Sequence, residues 1–479
     1  MLRRTKIIAT LGPVSNDSTV LNAMLRAGVD VVRINFSHAD SSAIQLIKEV
    51  RAIAEELKRP IAVMADLQGP KIRIGRFKDK SITLIDGQTF TLDCNNNDLL
   101  GNSEEVSVAY PNLEKELSIG DYLLINDGLI ELEVKQIKGS KIQCTVIEGG
   151  VLTDLKGLNR KGGGLAARTL TEKDINDLKT AIAAEVDYIS LSFVKDAEDI
   201  RQARNLIKNL GGKATPIIAK IERTEALEHL TEIIQEADAI MVARGDLGVE
   251  VGAAEVPAIQ KHIIEQTRLL DKVVITATQM MESMITNPQP TRAEVSDVAN
   301  AILDGTDAVM LSAETASGHY PVKVITMVNK TCLSAEKHAS FSYRSETTEA
   351  CHYQRADQAI AVATMHAANH FPIQAIITLT ESGDTALWIS RQHSIVPIFA
   401  VSANKRTVGR LSLVNNVFPI FMDYHQFSPE QINEKILTTL IELNYLEATG
   451  YILLTRGKHI GLAGGTNSME IISLEKNNS

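Results

Sequence analysis

The sequence predicts an α/β fold: a (β/α)8 TIM barrel with an inserted small β-barrel lid domain and a C-terminal α/β domain. Three observations predict it. Short apolar runs begin near residues 4, 31, 61, 188, 217, 239, 273 and 308, with amphipathic stretches between them. Strands alternating with helices indicate a parallel sheet, and eight such units suit a closed barrel better than an open sheet. A phrase also recurs at the joints: Gly28-Val-Asp30, Glu185-Val-Asp187, Glu236-Ala-Asp238 and Gly305-Thr-Asp307, each a helix end and an Asp ahead of an apolar strand. Finally, the gap between the third and fourth runs is too long for one helix, and its residues do not read as helical.

In chain order, residues 4–10 form the first strand and Leu11-Gly12-Pro13 stops it. Asp17-Ser18 caps a helix that ends at Ala27-Gly28. The third strand is Ile61–Ala65. In the long gap, Ser81–Leu92 alternates about Asp86-Gly87, a hairpin signal. Tyr122–Ile125, Leu129–Ile137 and Ile142–Ile147 continue as short strands, with turns at Asp127-Gly128 and Gly139-Ser140. The expected boundaries are residues 1–69 and 169–340 for the two parts of the barrel and 70–168 for the inserted β domain. At the barrel mouth that insert would act as a lid. A polar linker over 341–356 leads to a regulatory α/β domain over 357–479. There Asp357–His370 and Pro429–Leu443 read as helices, and Ala375–Leu379, Pro397–Val401 and Tyr451–Leu454 as strands. The loop Thr380-Glu381-Ser382-Gly383-Asp384-Thr385 follows a strand and opens a helix, where backbone N–H groups can receive a phosphate. Glu381 and Asp384 oppose that by charge, and an ordinary turn with Ser/Thr caps would look the same.

Composition narrows the function classes. The net charge is −10 with no long like-charge run, which argues against a nucleic-acid footprint and a membrane surface patch. No apolar run approaches the ~18 residues that suggest a span, and no signal-type segment follows the basic start of the chain. The four cysteines, Cys94, Cys144, Cys332 and Cys351, lack CxxC spacing and read as reduced cytoplasmic thiols.

The chemistry concentrates on two strand ends. In Ile217-Ile-Ala-Lys220-Ile-Glu222 a cation and a carboxylate interrupt an apolar strand two residues apart, so both face one side. Such charges are costly in a buried strand unless paired or used. The next strand ends in Arg244-Gly245-Asp246. Two carboxylates with no His or Cys nearby are hard oxygen ligands, suited to Mg²⁺ or Mn²⁺. A lysine beside them suits a phosphoryl group. An ordinary ion pair between neighbouring strands would also produce this pattern. In a barrel, however, polar residues after every strand gather at one mouth: Thr10, Arg33, Asn35, Ser37, His38, Asp66, Thr276, Thr278, Ser312 and Glu314 join the four above.

At these residues the chain resembles the pyruvate kinase family. Ile217–Leu227 is similar to that family's active-site signature, and Val32–His38, Asp66–Pro70, Ala243–Gly248 and Ala277–Met284 match further motifs in the right order. The resemblance runs from about residue 3 to the end. It implies phosphoryl transfer from phosphoenolpyruvate to ADP through a metal-stabilised enolate, the last step of glycolysis. It implies that Glu222 and Asp246 hold Mg²⁺ (or Mn²⁺) and that Lys220 stabilises the phosphoryl group. Gly245, Asp246 and Thr278 would receive the substrate carboxylate, Arg33 the phosphate, and Arg73, His38 and Asn35 the nucleotide side. Thr278 would also lie near protonation of the enolate. Relatives with Glu at the position of Lys71 use K⁺, held by residues matching Asn35, Ser37 and Asp66. Lys71 would carry that charge itself, leaving K⁺ not required and Asp66 to pair with Lys71 or orient Arg73. Arg160 and Lys161 are candidates for the lid's nucleotide contact. The effector loop, Thr380, Ser382, Gly383 and Thr385, would take a sugar monophosphate or AMP rather than fructose 1,6-bisphosphate. A cytoplasmic homotetramer is implied, with no nucleic-acid or membrane partner. Two other readings remain: a different Mg²⁺-dependent phosphoenolpyruvate or pyruvate barrel enzyme, and a non-catalytic sugar-phosphate sensor.

Overall fold

A computed structural model describes residues 2–37, 42–96, 99–110, 112–165, 170–212, 214–338, 353, 355–392, 394–458, 461 and 464–475. Eight parallel strands close a barrel: Lys6–Leu11, Val31–Asn35, Ala62–Asp66, Tyr188–Leu191, Ile217–Ile221, Ala239–Ala243, Val273–Ala277 and Ala308–Leu311. Each is a short run of Val, Ile, Ala, Leu and Met because both faces are covered. Six of the eight are buried at every position, and Val31–Asn35 and Ile217–Ile221 are broken only where Arg33, Asn35 and Lys220 stand. The chain divides into two compact units, residues 1–65, 184–189 and 264–479 in one and 66–183 and 190–263 in the other.

The recurring Asp has a structural purpose. Asp30, Asp187, Asp238 and Asp307 accept the backbone N–H of Ile7, Val63, Ile217 and Val274 at 2.8, 2.7, 2.8 and 2.9 Å. Each carboxylate also meets an arginine: Arg3 on Asp30 at 2.8 Å, Arg51 on Asp187 at 2.7 Å, Arg204 on Asp238 at 3.1 Å, and Arg391 on Asp307. For Asp187 and Asp307 the pairing satisfies a buried acid that would otherwise be expensive, whereas Asp30 and Asp238 remain part-exposed. Arg391 differs in origin, since it ends the helix Asp384–Arg391 of the C-terminal domain.

The insert is β, as its patterning predicts, but one pairing differs. Ser81–Leu84 and Thr89–Asp93 flank a tight turn with Gly87 at φ 81°, yet they do not form a hairpin. Ser81–Leu84 pairs with Gly150–Thr153 as a two-stranded sheet. Thr89–Asp93 joins a six-stranded sheet between Lys141–Glu148 and Glu105–Ser107. The turn's bonds explain the divergence: Gly87 N–H donates to the Val146 carbonyl at 2.8 Å and Gly149 N–H to the Asp86 carboxylate at 2.8 Å. A third segment therefore wedges where the hairpin ladder would start. Phe90, Leu92, Val106, Ile125, Leu132 and Cys144 lie in one apolar core.

The C-terminal domain is a five-stranded sheet in the order Val417–Phe421, Ile398–Ser402, Ile373–Leu379, Tyr451–Gly457, Thr466–Ser473, with only the last strand antiparallel. Its core joins Phe399, Val401, Tyr424, Ile436, Leu440 and Leu454. Among the described residues no helix is long and apolar enough to cross a membrane.

Candidate active site

The fifth barrel strand delivers Lys220 with its ammonium in a cage of oxygens. Nζ lies 2.9 Å from Glu222 Oε1, 3.5 Å from Asp66 Oδ1, and donates to Ser192 Oγ at 2.7 Å. Glu222 is 1% exposed, and its second oxygen accepts the Phe193 N–H at 2.7 Å. Burial pushes the Glu222 carboxyl above the usual carboxylate range; Lys220 opposes the shift and the charge of Asp246 adds to it. Two carboxylates that feel one another across a polar mouth are a natural pair for a shared cation.

Asp246 lies in the first turn of the helix Arg244–Val251, which starts where the sixth strand ends. Its side chain is not free to point anywhere: Lys71 Nζ donates to Oδ1 at 2.7 Å. This corrects the expectation for Asp66, which meets Lys220 rather than Lys71 or Arg73. The reason is reach. Lys71 extends past Gly157, where a Cβ would sit 3.0 Å from its Cε, and arrives on the later carboxylate. Arg73 Nη1 instead donates to the Leu155 carbonyl at 2.9 Å within the insert. Arg160 and Lys161 are engaged by Asp121 and Glu131 at 3.0 and 2.9 Å. Arg244 Nη1 donates to Gln260 Oε1 at 3.4 Å.

Other expected residues stand at the same ends of their own strands. Arg33 Nη1 donates to Thr10 Oγ1 at 3.0 Å, and Thr10 Oγ1 in turn donates to the Leu311 carbonyl at 2.8 Å. Asn35 Oδ1 accepts the Ser37 N–H at 3.1 Å. His38 lies outside the described residues. Thr278 follows the seventh strand at φ 70°, with Gln279 at φ 52°. A β-branched residue there is strained, a cost that persists where surrounding structure holds it. Its hydroxyl donates to the Ala277 carbonyl at 2.6 Å. Glu314, fully buried, accepts the N–H groups of Ser312 at 2.6 Å and Met281 at 3.2 Å, tying the ends of the seventh and eighth strands.

Ser192 is the residue that reading the sequence missed. The only signal was its place after the fourth strand, in Ser190-Leu-Ser192-Phe193, where hydroxyls follow apolar residues as they do elsewhere around the mouth. In the C-terminal domain, Thr380, Ser382 and Thr385 line one cleft with Glu381, Tyr424 and Arg456. Gly383 N–H donates to Thr380 Oγ1 at 2.9 Å, and Arg410 lies 3.4 Å from Asp384. Arg456 was also missed, because its strand lies far along the chain.

Among the described residues no three His, Cys, Asp or Glu side chains converge as a ready-made metal centre. A cation held by two carboxylates would draw its remaining ligands from substrate and water.

Comparison with known proteins agrees with this geometry. Residues 2–325 match the family model described as "Pyruvate kinase, barrel domain", and residues 358–472 that described as "Pyruvate kinase, alpha/beta domain". A pyruvate kinase of Buchnera aphidicola subsp. Baizongia pistaciae is 47% identical over 477 residues, 98% of this chain and 99% of the relative. The pyruvate kinase II of Salmonella typhimurium is 44% identical over 479 residues, 99% of each chain. The pyruvate kinase of Haemophilus influenzae is 43% identical over 462 residues, 95% of this chain and 96% of the relative. With both models matched in order and such identity over nearly the full length, the chain belongs to the pyruvate kinase family of phosphotransferases.

Proposed function

We propose that the chain transfers the phosphoryl group of phosphoenolpyruvate to ADP, with Lys220, Thr278 and Arg33 acting on the reacting atoms. The observation that carries this reading is the Lys220 ammonium, fixed by Ser192, Glu222 and Asp66 at a strand end of a chain of this family. Phosphoryl transfer asks the protein mainly for positioning and for charge where charge develops. Lys220 supplies that charge, and Arg33 holds the phosphate. Gly245 and Asp246 offer N–H groups from a helix start to the substrate carboxylate. The Thr278 hydroxyl stands by the carbon that takes up a proton. Arg73, Asn35 and His38 face the nucleotide. Glu222 and Asp246 would hold Mg²⁺ or Mn²⁺, which when bound supplies positive charge to the substrate oxygens. The insert, residues 70–168, serves as the lid. A coupled assay for pyruvate, run with and without ADP and divalent cation, tests this. Pyruvate formed without ADP would indicate a different enolate-forming barrel enzyme, and no turnover at all a sensor.

The monovalent-cation requirement follows from Lys71. Its ammonium already occupies the Asp246 carboxylate at 2.7 Å. A second cation ~4 Å away would meet a repulsion of about 4 kcal/mol before screening, at an effective dielectric of ~20. With Lys71 on Asp246 and the Lys220 ammonium 3.5 Å from Asp66 Oδ1, fixed positive charge already stands at these acids, so Asn35, Ser37 and Asp66 need hold no K⁺. Turnover in K⁺-free buffer with a tetraalkylammonium counter-ion is expected to equal turnover in KCl, and Lys71→Glu is expected to create a K⁺ requirement. A parent enzyme nearly inactive until K⁺ is added would overturn this.

The effector reading rests on the loop Thr380, Ser382, Gly383 and Thr385, of which Thr380, Ser382 and Thr385 line the cleft. Glu381 accepts a hydrogen bond from the Tyr424 hydroxyl, and Asp384 lies beside Arg410. Among the described residues, Arg456 is the cation lining the cleft. One lining cation and one lining acid, with Asp384 close by on Arg410, suit one phosphate group, not two. Activation by a sugar monophosphate or AMP is expected, and none by fructose 1,6-bisphosphate. Tight saturable binding of the bisphosphate in calorimetry, with tighter substrate binding, would reverse the assignment. The same reading makes the protein a cytoplasmic homotetramer. The location is supported by free, buried Cys94, Cys144 and Cys332, and the assembly by the likeness to the family.

A further inference from the structure

We infer that Ser192 is a positioning residue for Lys220, and that with Phe193 it forms a bracket joining the transfer site to the root of the inserted domain; this rests on the phosphoryl-transfer reading above. The hydroxyl of Ser192 is committed in direction. It donates to the Leu67 carbonyl at 2.8 Å, so its lone pairs face Lys220 Nζ, which donates to it at 2.7 Å. The next residue binds the other functional group of the same strand, since Phe193 N–H donates to Glu222 Oε2 at 2.7 Å. To do so Phe193 stands at φ 57°, a left-handed conformation that a bulky residue adopts only under constraint. One dipeptide at the end of the fourth strand thus fixes both Lys220 and Glu222.

The bracket is itself pressed against the chain entering the insert. Leu67 N–H donates to the Ser190 carbonyl at 3.0 Å. Gly69, at φ 66°, packs so close that a Cβ there would lie 2.8 Å from Ser192 Cβ and 3.1 Å from the Phe193 ring. Leu67 to Gly69 is the last stretch before the β insert. A displacement of that root moves the Leu67 carbonyl, and with it the direction of the Ser192 hydroxyl and the seat of the ammonium. Ser192 therefore couples the setting of the insert to the position of the charge that acts on the phosphoryl group. Misplacement by about 1 Å can cost on the order of 10²-fold in rate, and loss of one orienting partner typically costs about 10-fold or more.

The test is a double-mutant cycle on the full chain with phosphoenolpyruvate, ADP and MgCl₂. The parent's own turnover decides the phosphoryl-transfer reading; the ratios between variants decide this one. Ser192→Ala is expected to lower kcat roughly 10-fold or more, with the KM for phosphoenolpyruvate within about twofold and an unchanged urea midpoint. Added to Lys220→Ala, it is expected to cost nothing further, because its effect acts through that ammonium. Ser192→Cys, which keeps the size and a weak acceptor, is expected to fall between Ser192→Ala and the parent, and it replaces Ser192→Ala should that variant misfold. Losses that multiply in the double variant, or a raised KM at unchanged kcat, would reduce Ser192 to a packing residue and overturn the inference.

Discussion

Lys220→Ala is expected to lose ~10²–10³-fold in turnover while still binding phosphoenolpyruvate. The reason is where the charge acts. A fixed ammonium at a strand end meets little new charge in the bound substrate and much more as the phosphoryl group leaves, so its removal falls on kcat rather than on binding. Two carboxylates also lose a partner, Glu222 at 2.9 Å and Asp66 at 3.5 Å. Glu222 keeps the Phe193 N–H. The variant should therefore fold, and its substrate binding can be measured by equilibrium titration beside a stopped assay of turnover. Glu222→Gln and Asp246→Asn are expected to differ in kind: they raise the concentration of divalent cation needed for half-maximal rate. Retention of more than half the parent rate by Lys220→Ala would remove Lys220 from the chemistry.

The second large effect lies far from the chemistry. Arg391→Met is expected to destabilise the protein by about 3–5 kcal/mol, the cost of leaving one partner of a buried pair behind. Asp307 is fully buried and Arg391 only 3% exposed. Burial works against ionisation of Asp307, but Arg391, the more distant Arg268 and the Val274 N–H outweigh it, holding the carboxyl below its ordinary 3.8. A depressed acid adds stability above its unfolded-state value and loses it as pH falls through the folded-state value. The deficit of Arg391→Met should thus be largest near neutral pH and shrink as pH falls, beginning above the ordinary carboxylate range, because burial without Arg391 makes the stranded carboxylate take up a proton more readily. Asp307→Asn combined with Arg391→Met should recover part of the loss, since no bare charge is left buried. Urea unfolding followed at several pH values checks all three statements; a deficit independent of pH would mean that lost packing, not the charge, is responsible.

Much of this was legible in the sequence because barrel strands are short, doubly covered and almost wholly aliphatic, so each stands out against its helices. The strand beginning at Ala308 sits where its apolar run begins, and Lys220 and Glu222 were visible as charges inside such a run. What was not legible depends on partners far along the chain. Asp86-Gly87 marks a turn, but nothing local says that Val146 will take the place of a hairpin partner. Val417–Phe421 contains Pro419, which weakens it as a strand in sequence and suits it to the sheet edge where it lies. Thr466–Ser473 is largely exposed and polar, so the other edge carried little alternation to read. Ser192 and Lys71 are ordinary residues until the fold brings Lys220 to one and Asp246 to the other.

The four aspartates also reveal a symmetry in the barrel. Asp30, Asp187, Asp238 and Asp307 stand just before the second, fourth, sixth and eighth strands, and each grips the strand immediately ahead of it in the chain. The ring is thus a fourfold repetition of a two-strand module rather than an eightfold repetition of one strand. Three modules take their arginine from within the barrel: Arg3, Arg51 and Arg204. The symmetry breaks at the fourth, whose arginine arrives from the C-terminal domain. A barrel cut free after its eighth strand would therefore be three finished quarters and one quarter whose buried acid keeps only the weaker pull of Arg268, which makes the C-terminal domain a component of the barrel's closure as much as a separate body.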